Sequence, residues 1–293
     1  MRVSASHSVT RSVVALAVIA VALVGAYLYW NNAKSPSTLL PQGTKQETNP
    51  CFTGGGTVKE VLDACAAFIA SGSTDTDQLV RAHNVSAMAF SAIGNLDAAI
   101  ADLDAAVKID ATKPHSYFMR AAAYEAKKEY DKAIADLDQA IRIDAKFGDY
   151  FLLRGMVYQD KGDLDQALVE LNEKIKLDPD QTSGYSKRGD VYRQRKEYDL
   201  SVADYDQVVK IEPDGAKGYI DRGWVFVLKN DLDKAQADFD KALELHQNDP
   251  SALVGRGVVK SRKGQPTDGS ADLALAKQIE PGIFDQIKKL GVE

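Results

Sequence analysis

The chain has 293 residues, with 36 Lys and Arg against 42 Asp and Glu and a net charge of −6 at pH 7. An acidic body argues against a nucleic-acid partner, because phosphates need a basic face. The four histidines (His7, His83, His115, His246) are scattered and only two cysteines occur, so neither a metal cluster nor a cofactor site is expected.

Residues 1–12 carry Arg2 and Arg11 and no acid. Val13 to Trp30 then form an unbroken run of 18 uncharged, mostly apolar residues. As a helix, that run spans roughly 27 Å, near the hydrocarbon thickness of a bilayer. Flanking positive charge stays cytoplasmic, so the remainder of the chain is expected on the far side, where Tyr27, Tyr29 and Trp30 suit the interface. A single transmembrane signal anchor is the expectation. Val24-Gly25-Ala26 also offers the small residues a signal peptidase needs, which keeps open a cleaved, secreted form. Without its two leading arginines the exported part would carry −8, from −6 less +2.

Residues 31–56 hold Pro36, Pro41, Pro50 and Gly54 to Gly56, with no hydrophobic period. They read as a flexible linker with a reach on the order of 30 Å. Thr57 and Glu60 have capping-box spacing ahead of Val58, Val61, Leu62, Cys65, Phe68 and Ile69, so residues 57–79 are expected to supply an N-terminal capping helix ended by Gly72. In an exported chain the isolated pair Cys51 and Cys65 is most simply a disulfide; two free thiols are the alternative.

From residue 80 to 283 the sequence repeats with a step of 34. Arg120, Arg154, Arg188, Arg222 and Arg256 mark one column. Three residues earlier stand Tyr117, Phe151, Tyr185, Tyr219 and Leu253, and one residue later Ala121, Gly155, Gly189, Gly223 and Gly257. A turn column follows (Gly94, Lys128, Gly162, Lys196, Asn230, Gly264), then small residues such as Ala133 and Ala235, then bulky ones: Leu103, Leu137, Leu171, Tyr205, Phe239 and Leu273. Spacings of three, four and seven put the apolar members on one helical face. Each unit is therefore two amphipathic helices joined by a turn whose Gly or Asn suits a left-handed residue. One pair cannot bury both faces, so neighbours must stack. Lys174 replaces the Ala106, Ala140 and Ala242 of other units; its stem is expected to lie on apolar surface while its ammonium reaches water, with local loosening of the third unit.

A second charged column (Asp102, Asp136, Glu170, Asp204, Asp238, Asp272) runs in phase with the arginines. A structural ladder of ion pairs between helices is expected rather than an anionic-ligand site. No nucleophile with a base, no phosphate loop and no calcium loop is visible, so an enzyme is not expected.

The pattern resembles the tetratricopeptide repeat: the aromatic, the small residue with Tyr124, Tyr158 and Tyr192 after it, and the closing Pro179, Pro213 and Pro281 all fall in place. The resemblance implies an all-α, right-handed α-solenoid of about six helix-turn-helix repeats over 80–283. Residues 284–293, with Phe284, Ile287 and Leu290, would form a C-terminal capping helix. Cys51 through Gly72 also resembles the cysteine-paired lead-in of exported proteobacterial members, which implies an inner-membrane protein with its repeats in the periplasm. In this family the first helices line a concave groove for peptides or proteins. Carried over, the groove residues are Leu152, Met156, Asp190, Arg193, Ile220 and Trp224, with Phe118, Ala122, Ser186, Val227, Val254 and Val258 beside them. Phe118 and Leu152 fit the inter-repeat core equally well. Of the positions that clamp a C-terminal carboxylate in some members, only Lys187 matches, so that mode is not expected. The implied function is a membrane-anchored, non-catalytic scaffold for an unknown protein or peptide, with no small-molecule substrate. The alternative is an accessory subunit of an envelope enzyme or assembly complex.

Overall fold

A computed structural model describes residues 49–53, 55–288, 290 and 291. The expected anchor at 13–30 and the expected linker up to residue 48 lie outside these residues. No helix among the described residues is long and apolar enough to cross a membrane. The described residues form helices and no strand. They divide into two compact units, which meet at Val157 and Tyr158.

In the first unit, α1 (Pro50–Thr53) and α2 (Val58–Ala70) lead into α3 (Thr76–Ala92) and α4 (Leu96–Ile109). Then come α5 (Pro114–Ala126), α6 (Tyr130–Ile143) and the start of α7 (Gly148–Lys161). Thr57 and Glu60 cap α2 reciprocally: the Thr57 N–H donates to Glu60 Oε2 at 2.7 Å, and the Glu60 N–H to Thr57 Oγ1 at 3.3 Å. Cys51 and Cys65 are bonded, with Cα atoms 4.8 Å apart, and both are fully buried. That bond ties α1 to α2, and the two cysteines share a core with Val61, Ala82, Val85 and Ala89.

The second unit holds α8 (Leu164–Leu177), α9 (Thr182–Gln194), α10 (Tyr198–Ile211) and α11 (Ala216–Leu228). It continues through α12 (Leu232–Leu245), α13 (Pro250–Arg262), α14 (Pro266–Ile279) and α15 (Ile283–Lys288). Within each unit a first helix packs on its own second helix and on the second helix of the repeat before it, as α5 does on α6 and α4 and as α11 does on α12 and α10, which gives the stacking that the 34-residue step requires.

The turn column is left-handed throughout: Gly94, Lys128, Gly162, Lys196, Asn230 and Gly264 have φ of 78°, 61°, 92°, 61°, 60° and 82°. The amide just after each turn residue closes back on the helix, as in Glu129 N–H to Tyr124 O at 2.8 Å. The small column has a steric reason as well. A Cβ on Gly223 would meet the Phe239 ring at 3.0 Å, and one on Gly257 would meet Leu273 Cγ at 2.8 Å. Phe239 itself is fully buried and stacks edge-on against Trp224, with ring centroids 5.2 Å apart.

Lys174 does not reach water. It is fully buried, and its ammonium donates to Asp178 Oδ2 at 2.7 Å and Gln181 Oε1 at 2.9 Å. The carboxylate one turn along the chain satisfies the charge locally, so the lysine stays inside.

Candidate functional site

Each arginine of the 34-residue column engages carboxylates. Arg120 donates from Nε and Nη2 to Asp136 at 2.8 and 2.6 Å, and from Nη1 to Asp104 at 2.6 Å. Arg222 repeats this with Asp238 and Asp206, and Arg256 with Asp272 and Asp240. Arg188 forks onto Asp204 and reaches Asn172, while Arg154 donates to Asp138 at 2.5 Å. The fork joins two helices of one repeat, and the third donor ties in the repeat before. The guanidinium groups of Arg120, Arg154, Arg188 and Arg222 also lie over the aromatic ring three residues earlier, 5.6 to 5.9 Å from its centroid. Asp102, where the column begins, has Ser86 in the arginine position and bonds His83 Nδ1 at 2.9 Å instead.

Burial and pairing oppose one another along this column. Burial pushes the Asp204 and Asp238 carboxyls above their ordinary value despite the arginines. Burial also raises Asp272, but bonds from Arg256 and Lys260 outweigh it and hold that carboxyl below its ordinary value. Bonds to Asp136 and Asp238 raise the Arg120 and Arg222 guanidinium pKa values above their already high ordinary value. These donors are engaged within the protein, and the column fixes the repeats in register.

The expected groove residues have different fates. Leu152 and Met156 belong to the first unit and are half-buried. Phe118 and Ala122 are buried in that unit's core. In the second unit Ile220 is 7 % and Trp224 1 % exposed. The Trp224 ring packs on Phe239, and its Nε1–H donates to Ser251 Oγ at 3.3 Å, so this side chain offers no free anchor. A helical position cannot tell which face of a tryptophan the next repeat covers.

Asp190 and Arg193 on α9 do meet, at 3.5 Å, and both are partly exposed. Around them the second unit gathers groups that the repeat pattern did not single out. The Tyr205 hydroxyl donates to Asp190 at 2.9 Å, and Lys187 lies 3.9 Å from the same carboxylate. Lys217 bonds Asp221, which burial pushes above the ordinary carboxylate range, with Asp190 adding to the effect. Burial, then Asp190, likewise pushes the Tyr205 phenol well up. The signal for this cluster was Tyr205 itself, a hydroxyl in a column otherwise filled by Leu and Phe, which needed a partner.

Arg193 also donates from Nη1 to the carbonyl oxygen of Leu290 at 3.0 Å. Ile283 and Ile287 of α15 are buried in one cluster with Ile220, Trp224, Val227 and Val254, and Leu290 packs against it. The C-terminal segment therefore lies against first helices of its own unit.

In the first unit, a cleft among α2, α3 and α4 is lined by Leu62, Ile69, His83, Phe90 and Asp102. Among the described residues no group of three or more His, Cys, Asp or Glu is placed to hold a metal ion.

Models of the tetratricopeptide repeat match residues 80–113, 114–147 and 216–249, and a second model of the same repeat matches 152–216. A tetratricopeptide repeat protein from Parabacteroides merdae has a similar structure, with a TM-score of 0.64 and 16% identity over 83% of this chain and 96% of that one. PilF of Pseudomonas aeruginosa aligns with a TM-score of 0.60 and 14% identity over 71% and 94% of the two chains. YrrB, a TPR protein with an unusual peptide-binding site, aligns with a TM-score of 0.51 and 22% identity over 66% and 97%. At these identities the likeness carries the fold and nothing finer. No curated protein matches the chain in sequence.

Proposed function

Because the chain belongs to the tetratricopeptide repeat family, we propose that it is a non-catalytic scaffold whose second unit binds a protein partner on the face formed by α9, α11 and α13. One observation carries this reading. The mixed-charge cluster of Lys187, Asp190, Arg193, Lys217 and Asp221 runs from a nearly buried Arg193 to an exposed Lys217, and α11 also carries the buried aliphatic residues Ile220 and Val227. Such a face reads a segment with spaced apolar anchors and a polar edge. The repeats are carried outside the cytoplasm on the hydrophobic segment 13–30, in the bacterial inner membrane. The 18 uncharged residues, the preceding arginines and the paired cysteines support that placement.

Photo-crosslinking amino acids at positions 187 and 217, with 241 on α12 as a control, test the binding face in intact cells. Discrete adducts from 187 and 217 that disappear with Asp190→Lys are expected. Adducts equally strong from 241, or indifferent to that charge reversal, would remove this face from the function.

A further inference from the structure

The C-terminal segment does more than close the last repeat. A cap over the final pair would have to touch only α13 and α14, on which α15 does pack. The chain then runs on until the Leu290 carbonyl meets Arg193 on α9, two repeats back and 97 positions away. Arg193 is only 12% exposed, so this carbonyl is one of the acceptors that make its burial tolerable. Helix α15 has six residues, too few to persist unaided, so docking holds it. Ile283 and Ile287 are spaced by four, which places them on one helical face, and Leu290 follows in the turn past the helix end, its N–H donating to the Ile287 carbonyl at 2.9 Å. The segment thus presents aliphatic side chains to a first-helix wall and a main-chain carbonyl to an arginine.

We propose that residues 281–291 are a resident occupant of the partner-binding face. The external partner is then a helical segment of the same build: aliphatic residues at i, i+4 and i+7, with a free carbonyl at its end for Arg193. This rests on the reading that the first-helix face of the second unit binds partners. It adds that binding there is a displacement. A tethered occupant holds a high effective concentration, so only a segment that outcompetes it gains the site. The apparent affinity for any partner is lowered in proportion to the time the tail is docked.

The test uses the full chain and a fluorescently labelled synthetic peptide of residues 281–293, read by anisotropy. The parent chain is compared with one carrying Ile287→Asp and Leu290→Asp. The substituted chain is expected to bind the peptide at least about tenfold more tightly, as a site docked nine-tenths of the time requires. Adding Arg193→Ala should reverse most of that gain. Equal peptide binding by the parent and by a substituted chain that still melts cooperatively would overturn the proposal. If the double variant loses its cooperative melt, Leu290→Asp alone, at the half-buried end of the segment, is put to the same two outcomes. The result is separable from the crosslinking test. Equal peptide binding by both chains, with a probe at 217 that still captures a partner in a charge-dependent way, would keep the binding role and discard the tail as occupant.

Discussion

Arg222 grips Asp238 through two nitrogens, Nε at 2.9 Å and Nη2 at 2.6 Å, while its third, Nη1, holds Asp206 of the preceding repeat at 2.6 Å. The Asp238 side chain is 8% exposed and the Arg222 side chain 18%. Desolvating both charges offsets most of their attraction, so the pair specifies register more than it stabilises. Arg222→Leu alone strands a buried carboxylate and is expected to cost about 3–5 kcal/mol in urea denaturation. Arg222→Leu with Asp238→Leu should recover most of that loss. A double variant as unstable as the single would show that the pair itself stabilises the repeat.

Lys174 makes the same argument at one site. Asp178→Ala removes a carboxylate from a fully buried ammonium and is expected to destabilise by about 3 kcal/mol. Lys174→Met keeps the stem and removes the charge, so its stability should stay within about 1 kcal/mol of the parent. Chemical denaturation of both variants checks the order, which a lysine reaching water would not give.

Lys128 and Lys196 hold left-handed backbone with φ of 61° and are exposed. A side chain there costs about 1 kcal/mol, which glycine avoids. Lys128→Gly and Lys196→Gly should each raise stability by about 0.5–1 kcal/mol and be additive, measured as shifts in the denaturation midpoint.

His115, packed near Phe118, is pushed down to about 4 by burial, from an ordinary 6.5. Its folded value is lower than its unfolded one, so unfolding takes up a proton below pH 6.5. The contribution is complete above 6.5 and is lost as the pH falls towards 4. The parent chain should lose about 1–2 kcal/mol between pH 7.5 and 5 that His115→Phe does not lose. Parallel losses in the two chains would mean that the histidine titrates freely.

The Cys51–Cys65 bond closes a loop with a sequence separation of 14. Replacing both cysteines with Ala should cost about 3 kcal/mol in the chain-entropy model, concentrated in α1 and α2. Hydrogen exchange across Val58–Ala70 locates the loss, and uniform destabilisation of both units would contradict it.

Much of the fold is legible because each repeat must solve the same packing problem. A turn column tolerating Gly, Asn or Lys signalled left-handed backbone, and arginine and acid columns in phase signalled contact between helices. The third donor of each arginine was hidden. Asp136 stood in the acid column and serves Arg120, but Asp138, two residues on and outside that column, serves Arg154. An acid beside a core position looks like solvated surface until the neighbouring repeat is in place. Trp224 misled for a similar reason: its cover comes from Phe239 on the partner helix and Ser251 in the next repeat. The contact between Arg193 and Leu290 left no periodic trace, because the tail lies outside the repeat.

Hydrogen exchange of the full chain, compared with its Arg193→Ala variant, tests most directly whether the tail occupies the first-helix face of the second unit. The account predicts slow exchange over Ile283–Lys288 in the parent and clear acceleration in the variant, with α3 to α6 unchanged. Free-chain exchange over those residues in the parent, or protection indifferent to Arg193, would contradict it.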